Sequence, residues 1–131
     1  MRGKLNKLLN PKEKFLIDGC HSETSAKNLA HYLKSIDNDI YGIWGMQKHK
    51  QPELFIKQFK GIFKKIITVK IPDESNSCKP HYLKNIANRF DINSNVAPNI
   101  KSAIRQISDK KPKVIVSFGS LYLIGKILSL N

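Results

Sequence analysis

Lys14-Phe15-Leu16-Ile17-Asp18-Gly19-Cys20-His21-Ser22 is the stretch that decides the fold. A short apolar run, Phe15 to Ile17, ends in an acid and breaks at once into a turn. This is how a buried strand reads when a connection to a helix follows. The period then changes: apolar residues fall at Ala26, Leu29, Ala30, Leu33 and Ile36, which predicts a helix from Ala26 to Ile36. Ser22 or Thr24 can cap that helix, and Glu23 suits its positive N-terminal end.

The alternation continues along the chain. Ile40 to Trp44 predicts a second strand, and Gly45 to Gln51 a polar loop. Pro52 suits the first turn of a helix that buries Phe55, Phe59 and Ile62, with Leu54 at the edge of that face. Lys65 to Lys70 is a β-branched third strand, ended by Pro72 and followed by a loop over Asp73 to Ser77. Pro80 opens a helix that runs through Phe90, and Ile92-Asn93 is a short link or a minimal strand. Ile100, Ala103, Ile104 and Ile107 mark another helix. Lys113 to Phe118 is the fourth clear strand, Gly119-Ser120 breaks it, and Leu121 to Leu130 forms a terminal helix. Strands alternating with helices imply a Rossmann-like α/β domain, a mostly parallel sheet with helices on both faces and right-handed crossovers. Ligands of such sheets gather at the carboxyl ends of the strands. Those ends carry Asp18 to His21, Gly45 to Lys50, and Gly119-Ser120.

With 131 residues, 40% of them hydrophobic, the chain suits a single domain, 1–131, with one core. No apolar run approaches the roughly 20 residues that span a bilayer, and no signal-peptide core follows the basic start Met1 to Lys7. A soluble, cytoplasmic protein with no membrane partner is the expectation. Cys20 and Cys78 lack metal-site spacing, and a reduced pair is expected rather than a disulfide. The formal charge of +13 admits a basic nucleic-acid-binding module as one function. Against this, the lysines are spread over nearly every segment, with no aromatic RNA-binding pattern or zinc knuckle beside them. Nucleic acid is therefore not the expected partner.

The chain has no GxGxxG and no GxxxxGK[ST], so it carries no recognisable phosphate-cradling loop. Asp18 and His21 are the strongest polar pair. An acid at a strand end can accept hydrogen bonds from a ribose, and a histidine there can donate to a phosphate or shuttle a proton. The competing reading makes Asp18 a turn cap and His21 a solvated loop residue. Lys48, His49 and Lys50 could meet an anion, or simply face water. Gly119-Ser120 could present helix amides to a ligand, or be a tight turn that needs glycine. Cys20 lies beside His21 without a third orienting group, which argues against a cysteine nucleophile.

Several segments together bear a family resemblance. Phe15-Leu16-Ile17-Asp18-Gly19-Cys20-His21-Ser22 resembles the "(L)DGAHNP" signature of folylpolyglutamate synthases, dihydrofolate synthases and the related Mur ligases. Lys113 to Gly125 resembles their closing "VLVxGSLYLxGEVL" segment. Gly45 to Gln51 resembles "GMLxxKD", and Gly3-Lys4-Leu5 stands where the family has "P-(G/A)-R-L". The order and approximate spacing hold over nearly the whole chain.

The resemblance implies a C-terminal domain of the Mur ligase type, without the N-terminal phosphate-loop domain that supplies most Mg²⁺ ligands. In the full-length family ATP phosphorylates a folate carboxylate, and the amine of glutamate attacks the acyl phosphate. By position, Asp18 would contact the ATP ribose, and His21 would lie near the phosphates and act in catalysis. Lys4 would touch the nucleotide, and Lys50 would match the lysine of the second loop. No metal ligand is assigned to this chain. Ser22-Glu23 replaces Asn-Pro, Lys4 replaces an arginine and its bidentate fork, Gln51 replaces an acid, and Lys126 replaces a frequent glutamate. The expectation is a truncated ligase domain, inactive alone. The alternative is half of a split enzyme that binds ATP, Mg²⁺, folate and glutamate only with a separate N-terminal domain. Such a domain should also leave an apolar patch uncovered.

Overall fold

In the computed structural model, which describes residues 6–130, strand and helix alternate as β1 (Glu13–Asp18), α1 (Glu23–Lys34), β2 (Ile40–Trp44), α2 (Pro52–Ile56), β3 (Lys65–Thr68), α3 (Pro80–Arg89), β4 (Ser94–Val96), α4 (Ile100–Ile107), β5 (Lys113–Phe118) and α5 (Leu121–Leu130). The five strands form one sheet in the order β1-β5-β2-β3-β4, and every neighbouring pair is parallel. The expected doubly covered α/β sheet is therefore the one observed.

Side-chain alternation along the strands divides the interior into two cores. Val114, Val116 and Phe118 of β5, with Ile40, Trp44 and Ile66, pack under Leu29 and Leu33 of α1, Phe55 of α2 and Leu83 and Ile86 of α3. Ile115, Ile43 and Ile67 face the other way, against Ile100, Ile104 and Ile107 of α4 and Leu123 and Ile127 of α5. The strands are thus buried on both faces, which is why they read as unbroken apolar runs. Five rings (Trp44, Phe55, Phe59, Phe63 and Phe118) pack together at the first core, some stacked and some tilted, with centroids 5.0–6.5 Å apart along the chain of contacts.

Several element boundaries need correction. The helix opened by Pro52 ends at Ile56 and tightens into a 3₁₀ turn over Lys57–Phe59. Phe55 and Phe59 are buried as expected, but Ile62 lies past the helix and is only partly buried. The third strand stops at Thr68, not Lys70. The fourth strand in sequence is Ser94–Val96, just beyond Ile92-Asn93. It is a three-residue edge strand, too short to carry a hydrophobic run.

At the amino end of the sheet, β1 and β5 are joined by a buried ion cluster. Glu13 and Lys113 are register partners. Lys113 Nζ donates to Glu13 Oε2 at 3.2 Å and also to Asp109 Oδ1. Glu13 further accepts from the Ser108 hydroxyl (2.6 Å), the Asn10 amide (2.7 Å) and the Asp109 amide (3.0 Å). The cluster sits at the opposite end of the strands from Asp18, so it serves the fold, not the site.

Candidate functional site

The loop after β1 is shaped by its own short side chains. Asp18 Oδ1 accepts from the Cys20 amide at 2.8 Å, a turn closed across two residues. His21 Nδ1 lies 2.9 Å from the Gly19 carbonyl oxygen. A carbonyl only accepts, so Nδ1 carries the proton and Nε2 is left to accept or to gain a second proton. Ser22, not Thr24, caps α1. Its hydroxyl accepts from the Ser25 amide, and the Ser25 hydroxyl accepts from the Ser22 amide, both at 3.1 Å. The capped helix therefore begins at Glu23, three residues before the expected Ala26, and places Glu23 in its first turn.

The loop after β2 is less polar than its sequence suggests. Met46 is fully buried, and Gln47 is buried beside Ser77 in an isolated bridge. Lys48 donates its amide to Asn76 O at 2.8 Å, and Cys78 donates its amide to Met46 O at 2.8 Å. Pinned in this way, Lys48–Lys50 forms a 3₁₀ turn. With three residues per turn, its side chains leave in different directions. His49 and Lys50 line one cleft, while Lys48 lines another with Cys78, Lys79 and Tyr82. Gln51 follows with φ +51° and leads directly into Pro52. Left-handed backbone costs an L-residue about 1–2 kcal/mol. Replacing Gln51 with Gly should therefore raise stability in urea unfolding by up to about 1 kcal/mol. An unchanged or lower midpoint would refute this.

The two loops meet in a cleft of about 300 Å³ lined by His21, Ser22, Glu23, His49, Lys50, Gln51 and Leu54. Two of the four residues singled out, His21 and Lys50, come together in it. Asp18 is half-buried one turn away and is not among the lining residues. Lys4 lies outside the described residues. His49, read from the sequence as a possible anion contact beside Lys48 and Lys50, and Glu23, which stands where the family has proline, also line the cleft.

The turn after β5 closes the same end of the sheet. Gly119 has φ +110°. A methyl group there would overlap the Gly45 carbonyl oxygen and lie 2.6 Å from Trp44 Cδ1. Ser120 then accepts from the Tyr122 amide at 3.1 Å and the Leu123 amide at 3.4 Å. The turn is one that needs glycine, and its serine already occupies the amides that a ligand would use. Leu121 packs over Gly19, which links this turn to the β1 loop.

Both cysteines are buried and unpaired. Burial, then the charge of Asp18, pushes the Cys20 thiol up, and burial pushes the Cys78 thiol up to about 11. Neither is a nucleophile near neutrality. Among the described residues, no three His, Cys, Asp or Glu side chains gather to hold a metal ion, and no helix is long and apolar enough to cross a membrane. On α5, Leu121, Tyr122 and Leu128 are 64%, 58% and 56% exposed.

The fold is shared with solved folylpolyglutamate synthases. A folylpolyglutamate synthase from Mycobacterium tuberculosis complexed with ADP superposes with TM-score 0.78 at 18% identity over 88% of this chain and 29% of its own. The synthase from Thermotoga maritima gives 0.72 at 23% identity over 88% of this chain and 27% of its own. The bifunctional folylpolyglutamate synthase/dihydrofolate synthase from Yersinia pestis gives 0.78 at 13% identity over 92% and 29%. The chain thus spans less than a third of the length of these proteins. No curated protein is similar to it in sequence at a significant level. The family model for the C-terminal domain of dihydrofolate synthetase matches residues 2–130. On that match, covering nearly every residue, the chain belongs to the family of dihydrofolate synthetase C-terminal domains.

Proposed function

We propose that this chain forms the C-terminal share of an ATP-dependent site that adds glutamate to a folate, and that it does not catalyse alone. The observation that carries the reading is the cleft in which His21 and Lys50, drawn from two strand ends, face the same space. Two basic side chains there suit an anion such as the phosphates of ATP. His21, with its Nδ1–H donated to Gly19 O, leaves Nε2 to accept a proton in transfer, and only as the imidazolium could it donate from Nε2 to a phosphoryl oxygen. Lys50 supplies a fixed positive charge, and Asp18 retains a second carboxylate oxygen for a ribose hydroxyl. Lys4 is the fourth nucleotide contact in this reading.

No metal ligand is assigned to this chain in this reading. Mg²⁺ ligands would come from a phosphate-loop domain, as would the cradle for the β- and γ-phosphates. Closure of the two domains would exclude water from a hydrolysable acyl phosphate and align the attacking amine.

The purified chain, given ATP, Mg²⁺, glutamate and a reduced folate, should add no glutamate above a protein-free blank. Measurable addition by the chain alone would overturn the proposal. A co-expressed phosphate-loop domain that restores addition would identify a split enzyme, whereas failure with every such domain of the source genome would identify a silent remnant.

A further inference from the structure

β1 lies at the rim of the sheet and, among the described residues, pairs on one side only, with β5. The outward amides and carbonyls of such a rim are a template for another strand, which proteins commonly block with a bulge, a proline or a charge. β1 runs in unbroken register with β5, holds no proline, and is uncharged over Phe15-Leu16-Ile17. Ile17 is 40% exposed although Phe15, two residues before it on the same side of the strand, packs against the second core.

α5 extends the same apolar rim. Its Leu123 and Ile127 point into the core, and Lys126 Nζ reaches Asp73 Oδ2 on one flank at 3.3 Å. At about 100° per residue, Ile124, Leu128 and Leu121 fall toward the opposite flank. Leu121 there lies over Gly19, just past the end of β1. The exposed Leu121 and Leu128 therefore border the edge that carries Ile17.

The order of residues along β1 selects what fits this edge. An antiparallel neighbour forms its ladder only when both strands turn the backbone groups of the paired residues toward each other. With a second copy of β1 across a two-fold axis through Leu16, Lys14 faces Asp18 of the second copy at both ends, and Phe15 faces Ile17 of the second copy. Unlike charges then meet, and apolar residues meet apolar ones. An axis through Phe15 or Ile17 would instead set Lys14 or Asp18 against Leu16. Asp18 spends one carboxylate oxygen on the Cys20 amide and has the other to offer. α5 packs against both β1 and β5. Seated between them, two such helices would run antiparallel about 10 Å apart across the axis, close to an ordinary helix-packing distance.

We propose that β1 and α5 form a self-complementary interface through which two copies of this chain join their sheets into one. The charge of +13 opposes any self-contact, and this edge is where opposite charges are matched. The inference does not rest on the ligase reading. There the same Asp18 oxygen would meet a ribose, so the two uses are alternatives.

Sedimentation equilibrium of the intact chain should show reversible association from 14.9 kDa to twice that mass, with a dissociation constant of micromolar order. Amide exchange in β1 should slow as concentration rises, because its outward amides gain partners. Ile17→Lys should weaken the dimer about tenfold or more, and should leave the melting of the dilute chain nearly unchanged, since that side chain is already exposed. Lys14→Glu sets acid against acid at both ends and should weaken it about tenfold. Adding Asp18→Asn, which keeps an acceptor for the Cys20 amide, should recover most of that loss. A chain that stays monomeric into the high micromolar range would overturn the proposal, as would a dimer indifferent to Ile17→Lys or a Lys14→Glu effect that Asp18→Asn does not relieve. A dimer lost in Leu128→Glu but not in Ile17→Lys would place the contact on α5 alone. A dimer seen only after Met1 to Leu5 are removed would assign the edge to that segment. Either result rejects strand pairing between copies of the intact chain.

Discussion

Lys113→Ala should cost about 3–5 kcal/mol of stability at neutral pH, because it leaves Glu13 charged and buried without its partner. Lys113 and Glu13 are both nearly inaccessible, at 2% and 0% side-chain exposure. Burial drives the Glu13 carboxyl upward, but hydrogen bonds from Ser108, Asn10, Asp109 and Lys113 outweigh it and hold the carboxyl below its usual range. For Lys113, burial works against the ammonium, and bonds to Asp109 and Glu13 outweigh that too, holding it above its usual range. Glu13 contributes stability that is complete above about pH 4.5, its ordinary value, and is lost as pH falls through its lower folded value. Lys113 contributes stability that is complete below about pH 10.5 and is lost as pH rises through its higher folded value. Urea unfolding across pH should therefore show a stability plateau falling at both ends in the native chain, with the acid limb shallower in the variant. A loss under about 1 kcal/mol, the size typical of an exposed pair, would mean the cluster is hydrated. Replacing Glu13 and Lys113 together with apolar residues of similar volume should recover much of the loss, since the cost lies in the unpaired charge.

Gly119→Ala should be comparably damaging. The added methyl meets a backbone oxygen and the rigid Trp44 ring, neither of which can swing aside. Off-region backbone costs about 1–3 kcal/mol, and overpacking a full site adds about 1–3 kcal/mol. The damage should also spread. Gly119 touches Gly45 at the start of the loop that carries His49 and Lys50, and Trp44 begins the ring stack of the first core. Lower thermal stability, with a changed Trp44 fluorescence in the folded state, is the expected pair of results. Gly61→Ala is the control: that residue also has positive φ, +81°, but a methyl there would meet nothing within 4 Å. If both substitutions cost the same, strain alone explains Gly119 and the close packing matters little.

Much of this fold could be read from period and punctuation. Val114-Ile115-Val116 reads as a strand because β5 is central and both of its faces are covered. Ser94-Asn95-Val96 does not, because β4 is an edge strand held mainly by its partner's backbone. The break at Ile56 was hidden because Phe55 and Phe59 keep helical spacing even where the backbone tightens to 3₁₀.

In the site, His21 and Lys50 were legible as strand-end residues, and their meeting in one cleft follows from the parallel sheet. What local sequence could not show is which side of a turn each neighbour takes. Lys48, His49 and Lys50 are equivalent in sequence, and only the pinning by Asn76 sorts them into two cavities. For Asp18 the sequence offered both a ribose contact and a turn cap, and the Cys20 amide on Oδ1 shows the cap.

The strand order has a consequence for how the chain is made. β1 pairs only with β5, so the earliest of these five strands in sequence waits for the latest. Until Lys113–Phe118 emerges, β1 has no neighbour and β2 lacks one of its two. Nascent chains that stall before that point expose Phe15-Leu16-Ile17 on an unpaired strand, an invitation to aggregate. Closing the sheet joins residues about a hundred positions apart, Glu13 to Lys113 among them, so folding should be slow for the chain's size. β5 and α5 are thus not an appendage to a folded body: they complete it, and a nascent chain that lacks them should be a chaperone substrate, not a smaller domain.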